Sequence, residues 1–327
     1  MPTMHMKAMV FPRYGAPDVL TLRDVPRPEP HNDEVRIAVR ATTVTAACGL
    51  MRRGDTAMAR VVLGLFRPRR RFRILGIELC GVVDKVGKDV TRFRVGQRVF
   101  GFAGMHAGAN AEFVCLRETA SLAPAPDGLS DLESASLVDG PTTALYFLRR
   151  AKLAPGMRVA IIGASGSVGS AAVQVARHMG AHVTAVCSGN NAELVRGLGA
   201  QEVVDYTRED YAQRGVTYDV VFDTVGKSSH RVANHCLVKG GVYAVTVGGA
   251  GLVALDLWTR WFSRTRLLFG YSVEKNAALL EVNELTQHGA LRPVIDRQYP
   301  LAELAEAHRY VEAGHKRGNV VITVAAG

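Results

Sequence analysis

Residues 159–169 limit what this chain can fold into more than any other stretch. Val159, Ala160, Ile161 and Ile162 form an apolar run, after which glycine recurs at every third position as Gly163, Gly166 and Gly169, with Ala164, Ser165, Ser167 and Val168 between them. An apolar strand that ends on glycine and passes straight into a small-residue helix is the opening of a βαβ unit. Gly163 permits the tight turn, Gly166 keeps a Cβ out of the path of an approaching pyrophosphate, and Gly169 lets helix and strand pack closely. N–H groups at the helix start, aided by roughly half a positive charge from the helix dipole, make an anion site that needs no lysine. The spacing is GxxGxxG rather than the strict GxGxxG, so the flanking strand and helix carry the inference that this turn holds a dinucleotide.

The rest of the chain is organised around that unit. From about residue 124 the pattern alternates between short apolar runs and helical stretches, opened by a capping box at Ser130 and Glu133. The runs at 158–162, 182–187, 203–205, 218–223, 241–247 and 267–271 predict six parallel strands buried on both faces, a doubly wound α/β sheet. The first third is different: Val35, Ile37 and Val39 alternate with polar residues, and similar runs occur at 6–11, 79–86, 98–100 and 112–116, which predicts an irregular β-rich domain. After the sheet come expected helices at 274–288 and 301–314 and a strand at 319–324, a tail outside the alternation. A length of 327 residues suits two domains.

Composition narrows the partners. No apolar stretch reaches about 18 residues, so no membrane span is expected, and residues 1–11 lack a secretory apolar core, which points to the cytoplasm. Five cysteines stand singly, without CxxC spacing, so neither a disulfide framework nor a zinc ribbon is expected. The net charge of +10 fits an anionic ligand without identifying one. Its densest run, Arg67 to Arg73, is short and lacks the interleaved aromatic residues that base stacking uses, so it reads as a solvated loop and no nucleic-acid partner is expected.

At the end of the strand over 182–187, where a site for NADH normally carries Asp or Glu, the chain reads Cys187, Ser188, Gly189, Asn190, Asn191. Ser188, Asn190 and Asn191 are therefore expected to donate to a ribose 2′-phosphate, with no carboxylate to repel it, and NADPH is expected to be preferred over NADH.

These motifs resemble the medium-chain dehydrogenase/reductase superfamily, in particular its zinc-free quinone oxidoreductase branch. The matching residues run from Met6-Lys7-Ala8 through Gly81-Val82-Val83, Val95 to Gly101 and Gly163 to Gly169, on to Gly199-Ala200 and Val204-Asp205-Tyr206. The resemblance implies a GroES-like catalytic domain over 1–123, a Rossmann domain over 124–272, a C-terminal return to the catalytic domain over 273–327, and a homodimer. It also implies that Thr143 lies near the nicotinamide, Tyr206 near the adenosine phosphate, and Val225, Gly226 and Gly248 along the cofactor wall. Zinc-dependent relatives carry a cysteine at the position of Thr45 and a His-Glu pair where this chain has Ile77-Glu78, so no metal is expected, and Cys48 is read as a packed thiol.

Without a Lewis acid, a quinone or an α,β-unsaturated carbonyl suits such a site better than a simple ketone, because a conjugated acceptor spreads the developing charge. Many reductases of this branch have Asn and Tyr where this chain has Thr45 and Leu50, which leaves Thr45 as the candidate hydrogen-bond donor to a substrate oxygen. Glu78 is expected in a structural ion pair, and Arg52 or Arg53 at the mouth of the substrate cleft. The alternatives are an alcohol dehydrogenase or an enoyl(-CoA) reductase of the same superfamily and, from another class, a regulatory NADPH-binding protein without turnover.

Overall fold

The computed structural model describes residues 4–55, 60–61, 63–104, 107–272 and 275–324. The chain forms two compact units, one of Met1–Asp139, Glu274–Gln287 and Pro293–Gly327, the other of Gly140–Val273 and His288–Arg292. The first division falls after Asp139, sixteen residues beyond the expected boundary at 123. The reason is local: the helix capped by the Ser130–Glu133 box packs on strands of the first unit. The second expected boundary, at 272–273, and the expected helix start at Glu274 reach outside the described residues.

The strands, in chain order, are β1 (His5–Val10), β2 (Thr21–Pro26), β3 (Glu34–Thr43), β4 (Glu78–Val86), β5 (Arg98–Phe102), β6 (Phe113–Arg117), β7 (Ser121–Pro124), β8 (Arg158–Ile162), β9 (His182–Cys187), β10 (Glu202–Asp205), β11 (Tyr218–Asp223), β12 (Leu237–Val245), β13 (Arg266–Phe269), β14 (Ile295–Pro300) and β15 (Asn319–Thr323). The helices are α1 (Ala46–Arg53), α2 (Asp131–Ser136), α3 (Asp139–Arg150), α4 (Ser167–His178), α5 (Ala192–Gly197), α6 (His230–Ala233), α7 (Ala250–Phe262), α8 (Asn276–Gln287) and α9 (Leu304–Glu312). None is long and apolar enough to cross a membrane among the described residues.

The second unit is a six-stranded parallel sheet in the order β10-β9-β8-β11-β12-β13. This is a doubly wound arrangement whose strand order reverses on either side of β8, where open α/β sheets bind ligands beyond the strand C-termini. Ile162, Val186, Asp223 and Val245 lie level across four strands, so the segments that follow them converge on one edge.

In the first unit a mixed sheet runs β14-β15-β3-β4-β5-β7, antiparallel except for the parallel β14-β15 pair, with β6 also on β3 and a separate β1-β2 pair. Val35, Ile37 and Val39 are wholly buried, as their period of two requires. Three strands, β2, β7 and β14, go beyond the sequence expectation. β2 and β14 are mostly exposed, so burial imposes no alternation on them.

Helix α9 buries Leu304, Ala307, His308 and Val311 on one stripe. Arg52, expected in part at a cleft mouth, is instead fully buried on α1, where its guanidinium donates to the carbonyl of Gly15 and pairs with Glu312. Arg53 shares Glu312 and pairs with Asp55 at 2.7 Å.

Burial, and then the charges of Arg52 and Arg53, hold the His308 imidazole down to about 3. As the pH falls below about 6.5, the unfolded chain takes up a proton at this position that the folded chain refuses until about 3. Folding stability is therefore lost progressively across that window. His308→Asn should spare the protein about 2 kcal/mol of the difference between pH 7 and pH 5. Urea unfolding of both proteins at the two pH values checks this, and parallel changes in the two would refute it.

Candidate functional site

The glycine turn follows the C-terminal end of β8. Gly163 sits at φ +75°, and a Cβ there would meet Val225 Cγ1 at 2.7 Å and Thr224 Oγ1 at 2.9 Å. A Cβ on Gly169 would lie 2.1 Å from the carbonyl oxygen of Gly163 and 2.7 Å from Ala164 Cα. Those neighbours are backbone and cannot step aside, so helix and turn touch only because residue 169 has no side chain. Gly166 is the N-cap of α4 and supplies no side-chain cap to the N–H groups of the first turn. Its missing Cβ has only Gly163 O nearby, at 3.4 Å, so the space over residue 166 faces outward. Ala164 and Gly169 are buried, whereas Gly163, Ser165, Gly166, Ser167 and Val168 keep partial exposure. First-turn donors without a side-chain cap beside an open glycine suit a diphosphate.

The neighbouring turn differs from expectation in two ways. Asn191 is buried, and its amide donates to Ser165 Oγ at 3.0 Å and Ser188 Oγ at 3.1 Å. Its donors brace one turn against the other rather than point at a ligand, while Ser188 is half-buried and Asn190 exposed. A carboxylate does border this turn: Asp205, level with Cys187 on β10, would lie 2.5 Å from a Cβ on Gly189. The sequence run 187–191 hides it because the residue comes from the next strand. Hydrogen bonds from the Thr207 hydroxyl and backbone hold Asp205 below the usual carboxylate range, and Arg208 lies 3.6 Å away. Tyr206 follows, mostly exposed, with its N–H on Cys187 O at 3.2 Å.

Val225 and Gly226 are shaped by a residue that sequence reasoning missed. Asp223, fully buried at the end of β11, accepts from the N–H groups of Val225 at 3.0 Å, Gly226 at 2.7 Å, Lys227 at 3.3 Å and Ser228 at 2.7 Å. The Tyr243 hydroxyl adds a fifth bond at 3.0 Å. The signal available was an Asp closing an apolar strand ahead of a Gly-containing turn. Gly226, at φ +67°, packs on Val247, and Gly248 leaves room for Leu252, whose Cδ1 would lie 2.2 Å from a Cβ there. A Cβ on Gly140 would meet Ser167 O at 2.8 Å, so the start of α3 abuts the start of α4, with the buried Thr143 one turn further along. Thus Thr143, the 163–169 turn, Val225 and Gly226 gather at one edge of the second unit.

In the first unit, Thr45 is the N-cap of α1: its hydroxyl oxygen accepts from Cys48 N–H at 3.3 Å and its proton faces Cys48 Sγ at 3.4 Å. Cys48 is buried, which pushes its thiol up. Glu78, expected in an ion pair, has no cation in direct contact among the described residues, although the Lys275 charge acts on it. Its oxygens accept from the Thr43 hydroxyl and from Asp139 N–H, the latter at 2.6 Å, while Lys275 pairs with Asp139 at 2.9 Å. Burial and the nearby Asp139 carboxylate push Glu78 up to about 7. Arg67, Arg69, Arg70 and Arg71 are exposed.

Comparison with known proteins decides the family. Residues 31–127 match the alcohol dehydrogenase GroES-like domain and residues 198–322 the zinc-binding dehydrogenase model. The chain is 34% identical to the mitochondrial NAD(P)H oxidoreductase RTN4IP1 of Mus musculus, over 98% of this chain and 89% of that protein. The chain is a quinone oxidoreductase-like medium-chain dehydrogenase/reductase. This reductase is also 30% identical to the chloroplastic NADPH-dependent alkenal/one oxidoreductase of Arabidopsis thaliana, over 97% of this chain and 79% of that one. A solved quinone oxidoreductase from Coxiella burnetii superposes with a TM-score of 0.90 at 29% identity, covering 98% of the reductase and all of its neighbour.

The reductase is therefore an NAD(P)H-dependent oxidoreductase acting on a small molecule, with a Rossmann unit and a GroES-like unit. Among its described residues no three His, Cys, Asp or Glu side chains cluster as a metal centre would need.

Proposed function

We propose that this protein reduces a quinone or an α,β-unsaturated carbonyl with NADPH, in preference to NADH, and without zinc. The observation that carries this reading is the turn from Gly163 to Gly169, where close backbone packing and an N-cap without a side chain leave an outward-facing anion cradle. In this reading the second unit is the cofactor domain and the first the catalytic domain. When bound, the reduced nicotinamide would supply a hydride to the acceptor, with the one further proton that the product needs coming from water. The glycine turn holds the diphosphate, Thr143, Val225, Gly226 and Gly248 shape the cofactor wall, and Tyr206 borders the adenosine end.

NADPH preference is supported by the absence of a carboxylate on β9 itself and by Arg208, whose exposed guanidinium stands beside Asp205 and partly offsets it. Ser188 and Asn190 are the remaining candidate donors to the 2′-phosphate, with Asn191 holding Ser188 in place. Thr45 is the candidate donor to the substrate oxygen. Sulfur is a weak acceptor, so its O–H leaves Cys48 Sγ at little cost while its lone pair goes on capping α1. Zinc independence is supported by Thr45 and Ile77 standing where ligands are needed. The acceptor class is supported by the alkenal/one and quinone oxidoreductases that this chain resembles.

A homodimer is supported by β13, an edge strand of the parallel sheet, and by the exposed Trp258, Trp261 and Phe262 on the helix before it.

The test is a panel of quinones, enals, enoyl-CoAs and ketones assayed with NADPH and with NADH after dialysis against a chelator, on protein whose mass in solution is measured by light scattering. Turnover of quinones or enals, faster with NADPH and unaffected by chelation, is expected from a species of twice the chain mass. Equal use of NADH would overturn the coenzyme assignment, activity confined to ketones or enoyl-CoAs the acceptor class, and a monomer the assembly.

A further inference from the structure

At the opposite end of the parallel sheet from the glycine turn, two adjoining cavities of about 360 and 400 Å³ share Gly240 and Arg266. They lie where β12 and β13 begin and where α3 and α7 end, roughly 15 Å from the Gly163 turn by the rise of the intervening strands. Six cationic side chains line them: Arg260, Arg264 and Arg266 in the first, Arg150, Lys152 and Lys239 in the second. The carboxylates close by are occupied. Asp219 accepts the backbone N–H of Arg158 at 2.8 Å, and Asp256 makes two bonds to Arg260 at 3.0 and 3.1 Å.

Arg150 and Arg260 stand in the last turns of helices, where a cation is favoured without any ligand. The other four lie on strands and loops, so that account does not cover them. Arg266 is the most telling. Its Nε is buried without a hydrogen-bond partner among the described residues, and its guanidinium is desolvated beside the like charges of Arg260 and Arg150, offset in part by the Asp256 carboxylate that is already bonded to Arg260. A half-buried guanidinium facing its own kind across a cavity raises the energy of the protein by itself, and a multivalent anion removes that cost.

We propose that this groove is a second anion site, distinct from the dinucleotide turn, that takes a small molecule carrying two or more linked phosphates. Two cavities joined at Arg266 suit linked phosphates better than a single one, because each cavity brings its own cations. A dinucleotide on the glycine turn leaves the groove open, since the two sites occupy opposite ends of the strands.

The test is calorimetric titration of the whole protein, saturated with NADP+ at low ionic strength, with tripolyphosphate and separately with orthophosphate. One tripolyphosphate per chain is expected, bound at least tenfold more tightly than orthophosphate, and at least tenfold more weakly in Arg264→Gln/Arg266→Gln. NADP+ affinity should be unchanged in that variant, and its melting temperature without phosphate should not fall, because Arg266 has no bond from Nε to lose. Arg264→Gln alone changes an exposed side chain and serves if the double variant does not fold. Loss of tripolyphosphate binding when NADP+ is present would assign it to the dinucleotide turn and overturn the proposal. Unchanged binding in the variants, or no binding at all, would overturn it equally.

Discussion

Gly169→Ala should weaken NADPH binding by about 10- to 100-fold and lower stability by about 1–3 kcal/mol, while Gly166→Ala should weaken binding with little loss of stability. The added methyl is the same and its surroundings differ. At 169 it would stand 2.1 Å from Gly163 O and 2.7 Å from Ala164 Cα, so the α4 helix and the turn must separate, and the cradle opens before any ligand arrives. At 166 the nearest atom is Gly163 O at 3.4 Å, an ordinary contact, so the folded protein accepts the methyl and only an approaching diphosphate meets it. Urea unfolding together with NADPH titration by fluorescence separates the two cases. Full affinity in Gly166→Ala would remove the diphosphate from this turn, and undisturbed stability in Gly169→Ala would contradict the packing argument.

Asp223→Ala should be the more destructive change to the fold, costing about 4 kcal/mol or more, enough to prevent folding at 37 °C in a marginally stable protein. The substitution takes the acceptor from the buried Tyr243 hydroxyl, a loss of about 1–3 kcal/mol, and from four N–H groups of a largely exposed turn, each of which costs less where water reaches it. Asp223→Asn keeps one accepting oxygen and replaces the other with an amide that itself donates, so a smaller loss of about 2 kcal/mol is expected. With its oxygen in the Oδ1 position the Asn still accepts from Val225, Gly226 and Lys227 and faces its amide to Ser228 N–H and the Tyr243 hydroxyl, so NADPH affinity should fall less than stability. Thermal unfolding of both variants, with coenzyme titration of Asp223→Asn, checks the order. Wild-type stability in Asp223→Ala would show that the loop holds its shape without this carboxylate.

The Rossmann unit was legible in the sequence because its strands are buried on both faces and its turn depends on residues that lack side chains, and both leave marks in local sequence. The six expected strands all appear, with bounds shifted by up to four residues, and Gly163, Gly166 and Gly169 occupy the positions their spacing demands. The family was legible for the same reason, since its motifs recur in order along nearly the whole chain.

What only the tertiary structure decided are features made by residues distant in sequence. Asp205 reaches the 188–191 turn because β10 pairs with β9, Asn191 turns inward to bond Ser165 across 26 positions, and Glu78 accepts from Asp139 N–H. The six cations of the second groove come from α3, β12, α7 and β13 and the loops beside them, and no local pattern joins them. Strand pairing and burial set which charges face one another, and electrostatic energy depends on that distance in space rather than on separation along the chain.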